Sequence, residues 1–271
     1  MGGIKDFKYN GRINEIFVGS KEVIKKAIVH EENRQFRLKR ESWALAVARS
    51  KGVNVPAVVS YYIDDNNQEV LITQRINGIE LSSECTPADQ NSFFNVGVQM
   101  HKLLLPSQGF GWPHPRTMEG EFPDWSSFLC HFSSTYGMRM IKTGIIPVAL
   151  VANILNLIKK INPKVIAPFL VHRDIKPRNI LYTPDHRVWI IDWENAILGD
   201  YLFDVASYGA RYGHDLLWHR LAEGYDAGVE SSKYNLYEAV LLVGLIDFLR
   251  KHGLSFDQQQ RRLIAIVKGI L

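Results

Sequence analysis

Leu170 to Asp204 reads LVHRDIKPRNILYTPDHRVWIIDWENAILGDYLFD, and the reading of the whole chain follows from this stretch. His172-Arg173-Asp174 is followed by Lys176 and then Asn179, and a short alternating run, Arg187 to Ile191, ends on Asp192. Thr183-Pro184-Asp185-His186 is a tight-turn sequence that folds one half of the stretch back on the other. The spacing predicts that an acid able to orient a hydroxyl, an amide and a second carboxylate converge on one magnesium-bound phosphate.

The chemistry explains the residue types. A phosphoryl group passing between two oxygens needs little covalent help, but its charge must be neutralised and its attacker held in line. Asp174 would accept the hydrogen bond of the attacking hydroxyl, and Lys176 would reach the oxygens of the group in transit. Asn179 and Asp192 would hold the hard cation through oxygen, as magnesium requires.

These residues resemble the protein kinase-like superfamily, and more narrowly its aminoglycoside phosphotransferase-type branch of small-molecule kinases. His-Arg-Asp-x-Lys-Pro-x-Asn taken alone is similar to eukaryotic-type protein kinases. Asp192-Trp193-Glu194, however, stands where a protein kinase has Asp-Phe-Gly, and Gly199-Asp200 with Asp204-Val205-Ala206 resembles the tail of the antibiotic-kinase motif. From Asp192 to Asp204 is 12 residues, too few for a phosphorylatable activation segment and its anchor. The resemblance therefore implies a small-molecule hydroxyl acceptor. It also implies an α+β, bilobal protein kinase-like fold, with a small antiparallel-sheet N-lobe over residues 1–76 and a larger, mostly helical C-lobe over 77–271. ATP, or GTP in its place, and Mg2+ are the expected donor and metal. His172 is expected to support the loop and Asp204 to brace it from below, neither taking part in the chemistry.

Composition narrows the remaining classes. A chain of 271 residues with 46% hydrophobic content buries a sizeable core. Its formal net charge of +4 is mild, and with no run of five or more lysines and arginines nothing points to nucleic acid. Cys85 and Cys130 are the only cysteines, which gives neither a disulfide framework nor a zinc site. The longest apolar runs fall far short of the roughly 20 residues of a membrane span. The expectation is a cytoplasmic enzyme with no membrane partner.

In the N-terminal part, Ile13–Val18 and Glu22–Ala27 read as strands joined at Gly19-Ser20-Lys21. The resemblance implies that this turn covers the nucleotide phosphates, although its glycine pattern is sparse. Alternation on the second strand separates Lys25 from Lys26. Lys25 shares a face with Val23 and leaves Ile24 for the core, whereas Lys26 in the site would turn Lys25 inward at a cost. Lys25 is therefore the preferred nucleotide lysine. Gln35 to Ser50 reads as a helix with an apolar face at Trp43, Ala44, Val47 and Ala48. By resemblance Glu41 on it pairs with the strand lysine, with Glu32 as the alternative. Ala57–Ile63 and Glu69–Ile76 complete the sheet, and the resemblance makes Gln74 and Ile76 the hinge residues whose backbone meets adenine.

Further along, Thr86-Pro87 caps a helix read as far as Leu105, with His101 as a packing residue on it. Pro106 to Pro123 reads as a loop, Trp125–Tyr136 and Val148–Lys160 as helices, and three more helices are expected after Phe203. Few carboxylates accompany the motifs (Glu119, Glu121, Asp124, Glu194, Asp200), which argues for a neutral or less cationic acceptor than an aminoglycoside. Trp125, Trp193, Tyr208, Tyr212 and Trp218 offer an aromatic site for a quaternary amine, or simply core. Two other functions stay open: a serine/threonine protein kinase, favoured by Arg173 and Lys176, and a non-catalytic nucleotide-binding module.

Overall fold

The computed structural model describes residues 7–10, 14–28, 36–81, 86–105, 109–229 and 231–270. The chain begins with strands β1 (Phe7–Asn10), β2 (Asn14–Val18) and β3 (Glu22–Ala27), then helix α1 (Arg37–Ser50) and strands β4 (Val58–Ile63) and β5 (Glu69–Gln74). These strands make one antiparallel sheet in the order β1-β2-β3-β5-β4. β1 adds an edge that the sequence pattern did not suggest. Residues 11–13, between β1 and β2, and Glu32 lie outside the described residues.

The chain then runs through β6 (Ile79–Glu80), α2 (Pro87–Met100), β7 (Phe110–Pro113), β8 (Gly120–Phe122), α3 (Trp125–Lys142), α4 (Val148–Ile161) and β9 (Phe169–Val171). A single 3-10 turn at Pro177–Asn179 leads into β10 (Ile180–Tyr182), β11 (Val188–Ile190) and β12 (Ile197–Gly199). Four helices close the fold: α5 (Leu202–Tyr212), α6 (Leu216–Gly224), α7 (Ser232–Lys251) and α8 (Asp257–Ile270). The result is a small sheet lobe above a larger helical lobe, the kinase-like architecture that the motif implied. Two small antiparallel sheets, β11-β10-β6 and β8-β7-β12-β9, carry the functional loops on the helical lobe. No helix among the described residues is long and apolar enough to cross a membrane.

Several boundaries differ from the sequence reading for physical reasons. α2 starts in a capping box, with Thr86 and Asp89 each accepting the other's backbone N–H. It stops at Met100 rather than Leu105, because the Leu105 amide donates to Pro168 O and the Leu170 amide to Leu103 O. The glycine-rich segment expected as loop forms β7 and β8, and four helices rather than three follow Phe203. Along α1 the buried stripe is Leu38, Glu41, Ala44, Leu45 and Ala48, rotated from the expected face, with Trp43 and Val47 only half-buried. Of the two alternatives for the aromatic residues, a ligand site or core, the structure shows core. Trp125, Trp193, Tyr208 and Trp218 are all core, and only Tyr212 is exposed.

α2 and α6 pack backbone to backbone through two glycines. A Cβ on Gly97 would lie 2.6 Å from the Leu221 carbonyl, and one on Gly224 would strike the Phe94 carbonyl. The helices have no side chain there that can yield, so even a methyl group must push them apart. Gly97→Ala is therefore expected to cost about 1–3 kcal/mol, lowering the urea midpoint with the slope unchanged. An unaltered midpoint would contradict this packing.

Candidate active site

Strand alternation on β3 sends Lys25 toward α1 and Lys26 away from it. Lys25 Nζ donates to Glu41 Oε1 at 2.6 Å and to Asp192 Oδ1 at 2.8 Å, while Lys26 pairs with Asp64 at 2.6 Å on the outer side. Glu41 reaches this position because it falls within the buried stripe of α1, a carboxylate at a core position. Three segments far apart in sequence thus deliver one ammonium and two carboxylates to the seam between the lobes.

One ammonium serves both carboxylates. Burial works against the charge on Lys25, but Asp192 and Glu41 outweigh it and raise its pKa. Burial likewise opposes ionisation of Asp192, yet Lys25 prevails and holds that carboxyl at about 2. Glu41 is the partner that yields: burial, helped by the charges of Asp192 and Glu194, pushes it up to about 7 in spite of Lys25. Oxygens of Glu41, Asp192 and Glu194 lie within 4.8 Å of one another, and Glu41 Oε2 is buried with no hydrogen-bond partner. An orphaned oxygen in an all-oxygen set suits a hard divalent cation such as magnesium.

The loop from His172 to Asn179 is braced from beneath. Asp204, buried at the start of α5, accepts the amides of His172 at 3.0 Å and Arg173 at 2.6 Å and the hydroxyl of Tyr225 at 2.7 Å. Burial still pushes its carboxyl above the ordinary range. His172 is fully enclosed. Its Nδ1 accepts the Asp174 amide at 3.1 Å and its Nε2 bonds the Ile191 carbonyl at 2.9 Å, which assigns the proton to Nε2. Ser207 adds a bond to the Arg173 carbonyl at 2.8 Å. This over-determination holds Arg173 at φ 64° and Asp192 at φ 67°, left-handed conformations that cost non-glycine residues energy and cluster at functional sites.

Asp174 is held by two cations. Lys176 Nζ donates to its Oδ2 and an Arg211 guanidinium nitrogen to its Oδ1, both at 2.5 Å. Asn179 Nδ2 donates to the Asp174 carbonyl at 2.8 Å and to Oδ2 at 3.1 Å, and its own carbonyl accepts the Ile191 amide. That last bond ties Asn179 to the residue before Asp192. Arg211 was not singled out in the sequence, although a signal was present. Asp204, Ser207 and Arg211 recur at helical spacing along α5, so the face that braces the loop also carries the arginine.

Asp174, Lys176 and Asp192 all line one cavity of about 440 Å³ between the lobes. A second cavity, of about 360 Å³, lies where Gln74, Ile76 and Asn77 face the turn of the β10-β11 hairpin. The Gln74 amide donates to Ala57 O at 2.8 Å. The Gly19–Lys21 turn lies at this hinge end of the sheet: Lys21 O and Gly19 O accept from Arg75. It therefore flanks the hinge rather than the Lys25 cluster, contrary to the sequence expectation.

The fold and this constellation define a protein kinase-like phosphotransferase. Residues 29–240 match the sequence model of the phosphotransferase enzyme family, and the chain belongs to that family. It is accordingly a phosphotransferase. No curated protein sequence matches the chain significantly. Among solved structures, a thermostable mutant of aminoglycoside phosphotransferase APH(4)-Ia, in ternary complex with AMP-PNP and hygromycin B, superposes with a TM-score of 0.74 at 20% identity, covering 97% of this chain and 93% of that one. A choline/ethanolamine kinase family protein from Mesorhizobium loti gives 0.67 at 18% identity over 98% and 87%. Choline kinase LicA from Streptococcus pneumoniae gives 0.65 at 15% over 98% and 93%.

The titration of Glu41 has a defined sign. Its ordinary value is 4.5 and its folded value about 7, so between them the folded chain binds more protons than the unfolded one and loses stability as pH rises. Asp192 acts oppositely: its contribution is complete above its ordinary 3.8 and is lost as pH falls through about 2. Without nucleotide or magnesium, the stability of the wild type relative to Glu41→Gln should decline between pH 4.5 and 7 in urea titrations. A pH-independent difference would contradict the assignment.

Proposed function

We propose that this chain is an ATP-dependent O-phosphotransferase that moves the γ-phosphoryl group to a hydroxyl of a small antibiotic or metabolite. The observation that carries this reading is the single cavity lined by both Asp174 and Asp192. It joins the residue suited to orient a hydroxyl to the residue suited to hold a metal. The nucleotide complex of the APH(4)-Ia relative supports a nucleotide donor, with GTP as an alternative to ATP. In this reading residues 1–76 hold the nucleotide and 77–271 the acceptor and the catalytic loop.

The acceptor hydroxyl donates its hydrogen bond to Asp174 and its oxygen forms a bond to the γ-phosphorus. The bond from that phosphorus to the β,γ-bridging oxygen breaks, the nucleoside diphosphate leaves with the electron pair, and the hydroxyl proton passes to Asp174. Lys176 and Arg211, both bonded to Asp174, are at hand to neutralise the oxygens of the group in transit. Lys25, fixed by Glu41, would grip the α- and β-phosphates. Asn179 and Asp192 would hold magnesium, which neutralises phosphate charge, and Glu194 adds a further oxygen nearby. The backbones of Gln74 and Ile76 would read the purine edge.

Incubating the protein with ATP, magnesium and a pooled library of hydroxylated antibiotics and metabolites should yield one product heavier by a phosphoryl group. Asp174→Ala should lower its formation at least ~100-fold while nucleotide binding survives. Near-normal turnover in that variant would remove Asp174 from the chemistry, and phosphate transfer only to serine or threonine of added proteins would favour a protein kinase.

A further inference from the structure

The cavity beside Asp174 is walled by cations that the transfer step does not use. Arg40 comes from α1, Arg139 from α3, Arg173 from the catalytic loop and Lys251 from the end of α7. The carboxylates of the same wall are already engaged. Asp174 takes Lys176 and Arg211, Asp192 takes Lys25, and Glu194 accepts from Asn14 at 2.8 Å with Arg37 at 3.6 Å. Asp247, buried, is shared by Arg139, Arg250 and Lys251 at 3.4, 3.0 and 3.8 Å.

Arg40 and Arg173 are left without an ion pair among the described residues, and the Nε of each is buried without a hydrogen-bond partner. Glu121 and Glu69 act on Arg40 only at longer range, and burial lowers its pKa against them. Arg173 lies 5.4 Å over the Phe132 ring, and burial lowers it too. Guanidinium groups stay protonated under such pressure, so both remain charged, half-buried and outside any ion pair among the described residues, with Asp204 and Asp174 acting on Arg173 only from beyond pairing distance. A concave wall on which cations outnumber carboxylates raises the local concentration of anions. A polycationic acceptor would meet like charge here.

We infer that the acceptor is a hydroxylated small molecule bearing a phosphate or carboxylate group, its anion held by Arg173 and Arg40 while its hydroxyl reaches Asp174. Phosphate and carboxylate share the oxyanion geometry that guanidinium forks grip with paired hydrogen bonds. Arg139 and Lys251, two of three cations on one carboxylate, add a positive rim. This names the acceptor class for the phosphotransferase reading above and rests on it.

The test separates binding from transfer. With the nucleotide site filled by AMP-PNP and magnesium, calorimetry would compare hexose and pentose phosphates and the matching sugar acids with their parent sugars and with kanamycin. The anionic member of at least one pair should bind about tenfold or more tightly than its neutral parent, and the two kinds of anion distinguish phosphate from carboxylate. Arg173→Gln should weaken that anion about tenfold. Arg40→Gln should do likewise, and it carries the test if the buried Arg173 variant fails to fold. No preference for any anion, tighter binding of kanamycin, or anion affinity unchanged in Arg40→Gln and in a folded Arg173→Gln would overturn the inference. Replacing AMP-PNP by ATP then reads transfer. Anion binding with no phosphorylated product from any acceptor would keep the anion site but defeat the proposed transfer and with it the acceptor assignment, whereas transfer to sugars or kanamycin but never to the anions would defeat the inference alone.

Discussion

One buried ammonium shared between two carboxylates is the constraint around which the two lobes are arranged. Lys25, Glu41 and Asp192 come from a strand, a helix and a loop and meet at the seam, Glu41 fully buried, Lys25 nearly so and Asp192 30% exposed. Buried ion pairs of this kind are weak contributors to stability, because desolvation consumes most of the Coulombic gain. An apolar trio of similar volume would serve a mere scaffold better. The upward shift of Glu41 to about 7 marks the strain directly: the fold holds more negative charge than one lysine neutralises. Such a surplus of oxygen suits a divalent cation and the phosphates it carries.

The helical lobe supplies position. Asp204 gathers two backbone amides and a tyrosine hydroxyl, and α5 contributes Ser207 and Arg211 on the same face. His172 then links the loop to Ile191, and Asn179 accepts the amide of that same residue. The segments that carry Asp174 and Asp192 are therefore tied directly to each other. Phosphoryl transfer gains from such rigidity, since orientation of the attacking oxygen supplies much of the rate.

Much of this was legible in the sequence where the signal was local. Alternation on β3 pointed to Lys25, and it is Lys25 that meets Glu41 and Asp192. The motifs between His172 and Asp204 pointed toward the phosphotransferase family, to which the chain belongs, and toward the kinase-like fold that the superpositions share. Signals that depend on distant partners were not legible. The end of α2 is set by pairing to the chain around Pro168 and Leu170. The charge of the acceptor cavity was seen only as a scarcity of carboxylates and a basic C-terminal end that includes Arg250 and Lys251. Its cations come from four separate segments, two on helices remote from every motif, and no window of sequence contains them together.

The central claim is that the Lys25-Glu41-Asp192 cluster is a site for nucleotide phosphates and magnesium. Calorimetric binding of AMP-PNP to the wild type and to Asp192→Asn, with magnesium and with a chelator, tests it most directly. The account predicts that magnesium tightens binding to the wild type by at least about tenfold and that Asp192→Asn loses most of this gain. Equal affinity in magnesium and chelator for the wild type, or a magnesium effect undiminished in the variant, would contradict it.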